Sequence, residues 1–156
     1  MKALLDPKSK VKKRSVEILL AEDNPADVLL MKEALKQSRF PIRLTVVENG
    51  GEALAYLRQQ EPYHTVPSPD LILLDWNLPV KTGLEVMADI KGSFSFSGIP
   101  TLVLTGSRDE NDKRKAHQVG VDAYLVKPQL WSHYLDLLKH LEDNWIKAIP
   151  LERPYS

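Results

Sequence analysis

Five short stretches of this chain carry apolar residues in continuous rather than alternating runs, and each stops on a polar side chain. They are Val16–Ala21 (VEILLA), Arg43–Glu48 (RLTVVE), Asp70–Asp75 (DLILLD), Thr101–Thr105 (TLVLT) and Ala123–Val126 (AYLV). A strand with one wet face alternates; a continuous run signals a strand covered on both faces, as in parallel sheets. Between them lie helical patterns over Ala26–Ser38, Gly51–Gln60, Thr82–Gly92, Asp109–Gln118 and Trp131–Lys147. The first buries Val28, Leu29, Met31, Ala34 and Leu35, and the second Ala53, Leu54 and Leu57. Asp23-Asn24-Pro25 offers capping oxygens and a proline suited to a first helical turn. Five strands alternating with five helices give an α/β sandwich around a parallel sheet.

The length, 156 residues, is that of one domain, with no space for a second catalytic or DNA-binding domain. Zero cysteine removes disulfides, zinc knuckles and thiol nucleophiles together. The early apolar runs Ala3-Leu4-Leu5 and Ile18–Ala21 are too short for a signal-peptide core or a membrane span, so a cytoplasmic location is expected. The chain has 21 basic and 21 acidic residues, but they are unevenly spread. Residues 1–14 hold Lys2, Lys8, Lys10, Lys12, Lys13 and Arg14 against Asp6 alone, which leaves the remainder at −5. That body is a poor surface for nucleic acid. The expected organisation is a basic, solvated tail over 1–14, a domain over 15–147 and a C-terminal tail over 148–156.

Ligands of parallel sheets sit beyond the carboxyl ends of the strands. The first strand ends in Glu22-Asp23, the third in Asp75, the fourth in Thr105 and the fifth in Lys127. Each has an ordinary reading alone: Glu22-Asp23 as a helix start, Asp75 as a turn, Thr105 as the start of Gly106-Ser107, Lys127 as a surface lysine. Four strand ends of one sheet together make a site of three carboxylates, one hydroxyl and one ammonium. Crowded carboxylates repel, so either one takes a proton or a hard divalent cation binds. Oxygen donors without thiolate or nearby histidine favour Mg²⁺ over zinc. Asp75, in the middle, is the candidate nucleophile, and Lys127 and Thr105 would address phosphoryl oxygens.

With LPVKTG at 78–83 and GVDAYLVKP at 120–128, this set resembles the receiver domain of two-component response regulators, over about Val16 to Trp145. The resemblance implies a flavodoxin-like (CheY-like) doubly wound sheet of order 2-1-3-4-5. It implies that Asp75 accepts a phosphoryl group from a sensor histidine kinase. Asp23 would bind Mg²⁺ directly, Glu22 through water, and the Asn77 backbone carbonyl would be a third protein ligand. Lys127 would pair with Asp75 at rest and with the phosphoryl group afterwards, across a cis bond to Pro128. Thr105 and Tyr124 would act as the switch, changing the surface of the fourth helix, fifth strand and fifth helix. Such a protein signals rather than turns over substrate, although it assists its own phosphoryl transfer and loss.

Some positions depart from the commonest pattern. Glu22 stands where aspartate is frequent. Gly106 replaces a usual alanine, loosening the loop by up to about 1 kcal/mol of backbone entropy. Trp76 is bulky enough to cover the site or face a partner. On the last helix, Trp131, Tyr134, Leu135, Leu137, Leu138, Leu141, Trp145 and Ile146 make an apolar arc. The arc is read either as an ordinary buried helix or as a homodimer surface. The long last helix and the loop before Asp70 are similar to the single-domain regulators that partner bacterial phytochromes. His133 and His140 read as surface histidines. An alternative is a haloacid-dehalogenase-type phosphatase, whose acid/base aspartate would fall at Asn77; another is a degenerate receiver that serves only as an interaction module.

Overall fold

The structure, a computed structural model, describes residues 11–154. In chain order the elements are β1 (Val11–Lys13), β2 (Val16–Ala21), α1 (Pro25–Leu35), β3 (Ile42–Val47), α2 (Gly50–Leu57), β4 (Leu71–Leu74) and α3 (Gly83–Lys91). Then come β5 (Thr101–Thr105), α4 (Glu110–Val119), β6 (Ala123–Val126), α5 (Trp131–Asn144), a 3₁₀ turn at Ile146–Ala148 and β7 (Glu152–Pro154). The main sheet has the order β3-β2-β4-β5-β6, and every neighbouring pair in it is parallel. Counting only its own strands, this is the 2-1-3-4-5 order.

Strand alternation divides the core in two. Leu19, Ala21, Ile72, Leu74 and Val103 pack with Leu54, Val86, Met87 and Ala116 of α2, α3 and α4. Ile18, Leu20, Leu71, Leu73 and Leu102 pack with Met31, Leu35, Tyr134, Leu138 and Leu141 of α1 and α5. That double covering is why the strands read as continuous apolar runs.

The helix ends follow from local chemistry. Asn24 caps α1 by accepting from the Ala26 and Asp27 amides, with Pro25 in the first turn. Thr82 and Glu85 close a capping box on α3. Gly120, at φ 101°, ends α4 in the left-handed region that suits glycine. The first helix stops at Leu35 rather than Ser38, because the Ser38 hydroxyl turns instead to Glu142 of α5 at 2.7 Å. The last helix stops at Asn144, and Ile146 continues as the 3₁₀ turn.

The structure corrects two expectations. Leu29 faces solvent, because the stripe of α1 that meets the sheet runs through Met31, Ala34 and Leu35. Trp76 neither covers the site nor faces outward: it continues the Ile72–Leu74 alternation into the α2–α3–α4 core. On the last helix Trp145 packs against the α1–α5 core, in keeping with the buried-helix alternative for that part of the arc.

The regions expected as tails also meet. Val11–Lys13 and Glu152–Pro154 pair as an antiparallel ribbon, and the Arg14 amide donates to the Leu151 carbonyl at 2.9 Å. Arg14 makes a two-pronged ion pair with Asp70, at 2.6 and 2.9 Å, and Asp70 also accepts from the Glu17 amide. The expected basic residues before position 11 lie outside the described residues.

Candidate functional site

The rim at the carboxyl ends of β2, β4, β5 and β6 gathers the candidate residues. By alternation, Glu22, Asp75 and Lys127 continue the face that carries α1 and α5. Thr105 and Tyr124 continue the opposite face. The backbone fixes these ends: the Asp75 amide donates to the Ala21 carbonyl, the Glu22 amide to the Val47 carbonyl and the Lys127 amide to the Thr105 carbonyl. Glu22, Asp75 and Thr105 are 2%, 5% and 0% exposed, whereas Asp23 is exposed.

Lys127 is the hub. Its Nζ lies 2.6 Å from Glu22 Oε1, 2.8 Å from Asp27 Oδ2 and 3.1 Å from Asp75 Oδ2. Burial alone would lower the ammonium's pKa, but hydrogen bonds to Asp27, Glu22 and Asp75 outweigh it and hold the group charged. Burial pushes the Glu22 carboxyl up to about 7, against the pull of Lys127 and the Asn24 amide, with the Asp75 charge adding to the rise. The Asp75 Oδ1 atom accepts from the Asn77 amide at 3.1 Å. Of the three carboxylates that meet at Lys127, sequence reasoning missed Asp27. A signal existed: Asp27 lies in the first turn of α1, the helix covering the face on which Glu22, Asp75 and Lys127 end. An acid there is also what any helix N-terminus favours, so it did not stand out.

Glu22, Asp23 and Asp75 each offer a carboxylate oxygen within 4.8 Å of the others, and this is the acidic group among the described residues with metal-holding geometry. Hard oxygen donors at that spacing fit a small divalent cation, which would relieve the burial cost that Glu22 carries. The Asn77 carbonyl belongs to the same loop, directly after the Asp75 turn.

On the other face, the buried Thr105 Oγ1 accepts from the Ser107 amide at 3.4 Å. Tyr124 is half-buried and its hydroxyl donates to the Ser107 carbonyl at 2.9 Å. Burial raises the Tyr124 pKa, so the phenol stays protonated and able to donate. The loop after Asp75 is held tightly. Val80 adopts φ 70°, a left-handed conformation costing a β-branched residue about 1–2 kcal/mol. Gly83 lets α3 approach the strand end: a Cβ there would lie 2.7 Å from the Trp76 Cα and 2.9 Å from the Asp75 carbonyl oxygen.

The expected cis bond before Pro128 is not found; among the described residues the cis peptide is Glu61–Pro62. Trans is the lower-energy isomer, and Lys127 reaches all three carboxylates without the cis form. His133 and His140 are exposed and belong to no metal-holding group among the described residues; the His140 ring instead meets the Asn144 amide at 3.1 Å.

The family model for the response regulator receiver domain matches residues 18–139. The response regulator Rcp1 of Synechocystis sp. is 39% identical over 134 residues, which are 86% of this chain and 91% of that protein. The crystal structure of the phosphorylated cyanobacterial phytochrome response regulator RcpA aligns with a TM-score of 0.82 at 40% identity, covering 88% of this chain and 99% of that one. The Mn²⁺-bound form of Rcp1 aligns at 0.80 and 38% identity, covering 90% and 99%. Shared fold, shared sequence over most of both partners and a matched family model lead to one conclusion: the chain belongs to the response regulator receiver family, the signalling proteins of two-component phosphorelays.

Proposed function

We propose that Asp75 is the phosphoacceptor and that a sensor histidine kinase, of the phytochrome class, is the donor. The observation that carries this reading is the Lys127–Asp75 pair at 3.1 Å, inside a carboxylate cluster closed to bulk water on the Glu22 and Asp75 sides. An Asp75 oxygen attacks phosphorus. The P–O bond forms as the P–N bond to the donor imidazole breaks, and the electron pair leaves on the ring nitrogen. Lys127, held charged, is within reach of the phosphoryl oxygens as Asp75 gives up its own charge. The Thr105 hydroxyl has only the Ser107 amide to leave. Tyr124, released from the Ser107 carbonyl, follows it inward, which alters the α4–β6–α5 surface.

Glu22, Asp23, Asp75 and the Asn77 carbonyl would hold Mg²⁺, whose contribution is positive charge beside the phosphoryl oxygens. The phytochrome assignment is supported by the likeness to RcpA and Rcp1. Leu130, Trp131 and Leu135 are exposed at the start of α5, which supports a homodimer through α4, β6 and α5. The reading treats 15–147 as the receiver unit. No helix among the described residues is long and apolar enough to cross a membrane.

The test is to incubate the chain with a small acyl-type phosphodonor and Mg²⁺ and weigh the product. A gain of one phosphoryl, absent in Asp75→Asn, is the expected result; no gain, or a gain that survives Asp75→Asn, would refute it.

A further inference from the structure

The ammonium of Lys127 has three carboxylate partners, and the one it meets least closely is the proposed acceptor. Glu22 stands at 2.6 Å, Asp27 at 2.8 Å and Asp75 at 3.1 Å. Two of these, Glu22 and Asp75, are also members of the cation-sized cluster with Asp23; Asp27 is not. Lys127 and a divalent cation therefore compete for the same two carboxylates, and only Asp27 is left over to hold the lysine.

The Asp27 side chain does not cap its own helix, since Asn24 does so and the Asp27 amide is one of the donors it satisfies. It reaches instead across the rim to a residue 100 positions away, with its carboxylate only partly exposed. The Asp27 charge is also felt by Tyr134 of α5, which is almost fully buried: its pKa is raised first by burial and then by the Asp27 charge, with Glu22 adding to it. An ammonium displaced from Glu22 and Asp75 in this corner has Asp27 as its remaining anionic partner.

We propose that Asp27 is a positioning residue: it keeps hold of the Lys127 ammonium when a divalent cation takes up Glu22 and Asp75, so that the Glu22–Asp23–Asp75 cluster can fill without leaving the lysine unpaired. The proposal rests on the function above and assigns a role to a residue outside the acceptor, the cation ligands and the switch pair. Without Asp27, Lys127 has Glu22 and Asp75 alone as anionic partners, and an incoming cation must displace it with no seat to receive it.

The experiment is calorimetric titration of the full chain with Mg²⁺, independent of any phosphoryl transfer. Asp27→Asn should weaken Mg²⁺ binding by about three- to tenfold, the lower part of the coupling expected between members of one charge network. Asp27→Glu should restore it to within about twofold, because the longer carboxylate still reaches the rim. The effect should act through the lysine, so in a Lys127→Met background Asp27→Asn should change the affinity by less than about twofold. An unchanged affinity in Asp27→Asn overturns the proposal, as does an equal loss with and without Lys127, which would reduce Asp27 to a source of background field. If the parent chain takes up Mg²⁺ and one phosphoryl while either of those results is found, this proposal alone fails. A parent chain that takes up neither defeats it together with the proposed function.

Discussion

Two glycines near Asp75 make a paired test, because the same added methyl group meets a wall at one and open space at the other. At Gly83 a Cβ would lie 2.7 Å from the Trp76 Cα, 2.9 Å from the Asp75 carbonyl oxygen and 2.9 Å from Trp76 Cε3. Two of those three are backbone atoms and cannot rotate away. To reach ordinary contact at 3.4 Å, α3 must withdraw from the end of β4 by about 0.7 Å, in a region packed to interior density. Overpacking of this kind costs about 1–3 kcal/mol, offset by the about 0.4–1 kcal/mol gained from a stiffer unfolded chain. Gly83→Ala should therefore lose about 1–2 kcal/mol net.

At Gly106 nothing lies within 4 Å and the backbone is outside the left-handed region, so the unfolded-chain gain stands alone. Gly106→Ala should be more stable by about 0.4–1 kcal/mol. Urea unfolding read by far-ultraviolet circular dichroism measures both. The withdrawal of α3 in Gly83→Ala should also loosen the turn after Asp75, move that carboxylate off its Lys127 partner and slow phosphoryl uptake by about tenfold or more. Equal stabilities for the two variants, or a Gly83→Ala chain as stable and as quick as the parent, would refute the reasoning.

Glu142 supplies the pH dependence. It is 5% exposed and accepts from the Ser38 hydroxyl at 2.7 Å and from the Arg39 amide at 2.9 Å. Burial raises its pKa, but the Ser38 and Arg39 hydrogen bonds and the Arg39 charge outweigh burial and leave it lowered. A depressed carboxyl stabilises the fold above its unfolded pKa, near 4.3, and that stabilisation is lost as pH falls through the lower folded value. Glu142→Gln should thus cost about 1–3 kcal/mol at neutral pH, with the gap to the parent closing on acidification; a gap constant from pH 7 to pH 3 contradicts it. If α5 carries the dimer contact, Trp131→Ala should shift the sedimenting mass toward monomer without unfolding the chain, since Trp131 is 42% exposed; an unshifted mass removes that surface from consideration.

The sheet was legible because its determinants are local. Each continuous apolar run states that two layers cover it; three of the five strands have the same bounds as their runs, and the other two differ by one residue at each end. Asp70 and Asp75 mark where locality ends. They are the same residue type at the two ends of one strand, yet Asp70 clamps Arg14 and the Glu17 amide, while Asp75 meets Lys127. Only the direction of the strand within a parallel sheet separates those roles. Glu142 escaped notice because its partners are about a hundred residues distant, on the turn after α1. Trp76 differs again: its burial is local information, since the two-residue alternation from Ile72 through Leu74 places it indoors.

Since all strands of the main sheet point one way, connections that enter strands collect on the rim remote from Asp75. There lie the proline-bearing segment 58–70, the 92–100 segment with its fully exposed Phe94, and the ribbon of β1 with β7. Insertions, labels or fused reporters belong at the exposed points of that edge, such as Phe94, where they leave the acid-lined mouth opposite with its wiring intact.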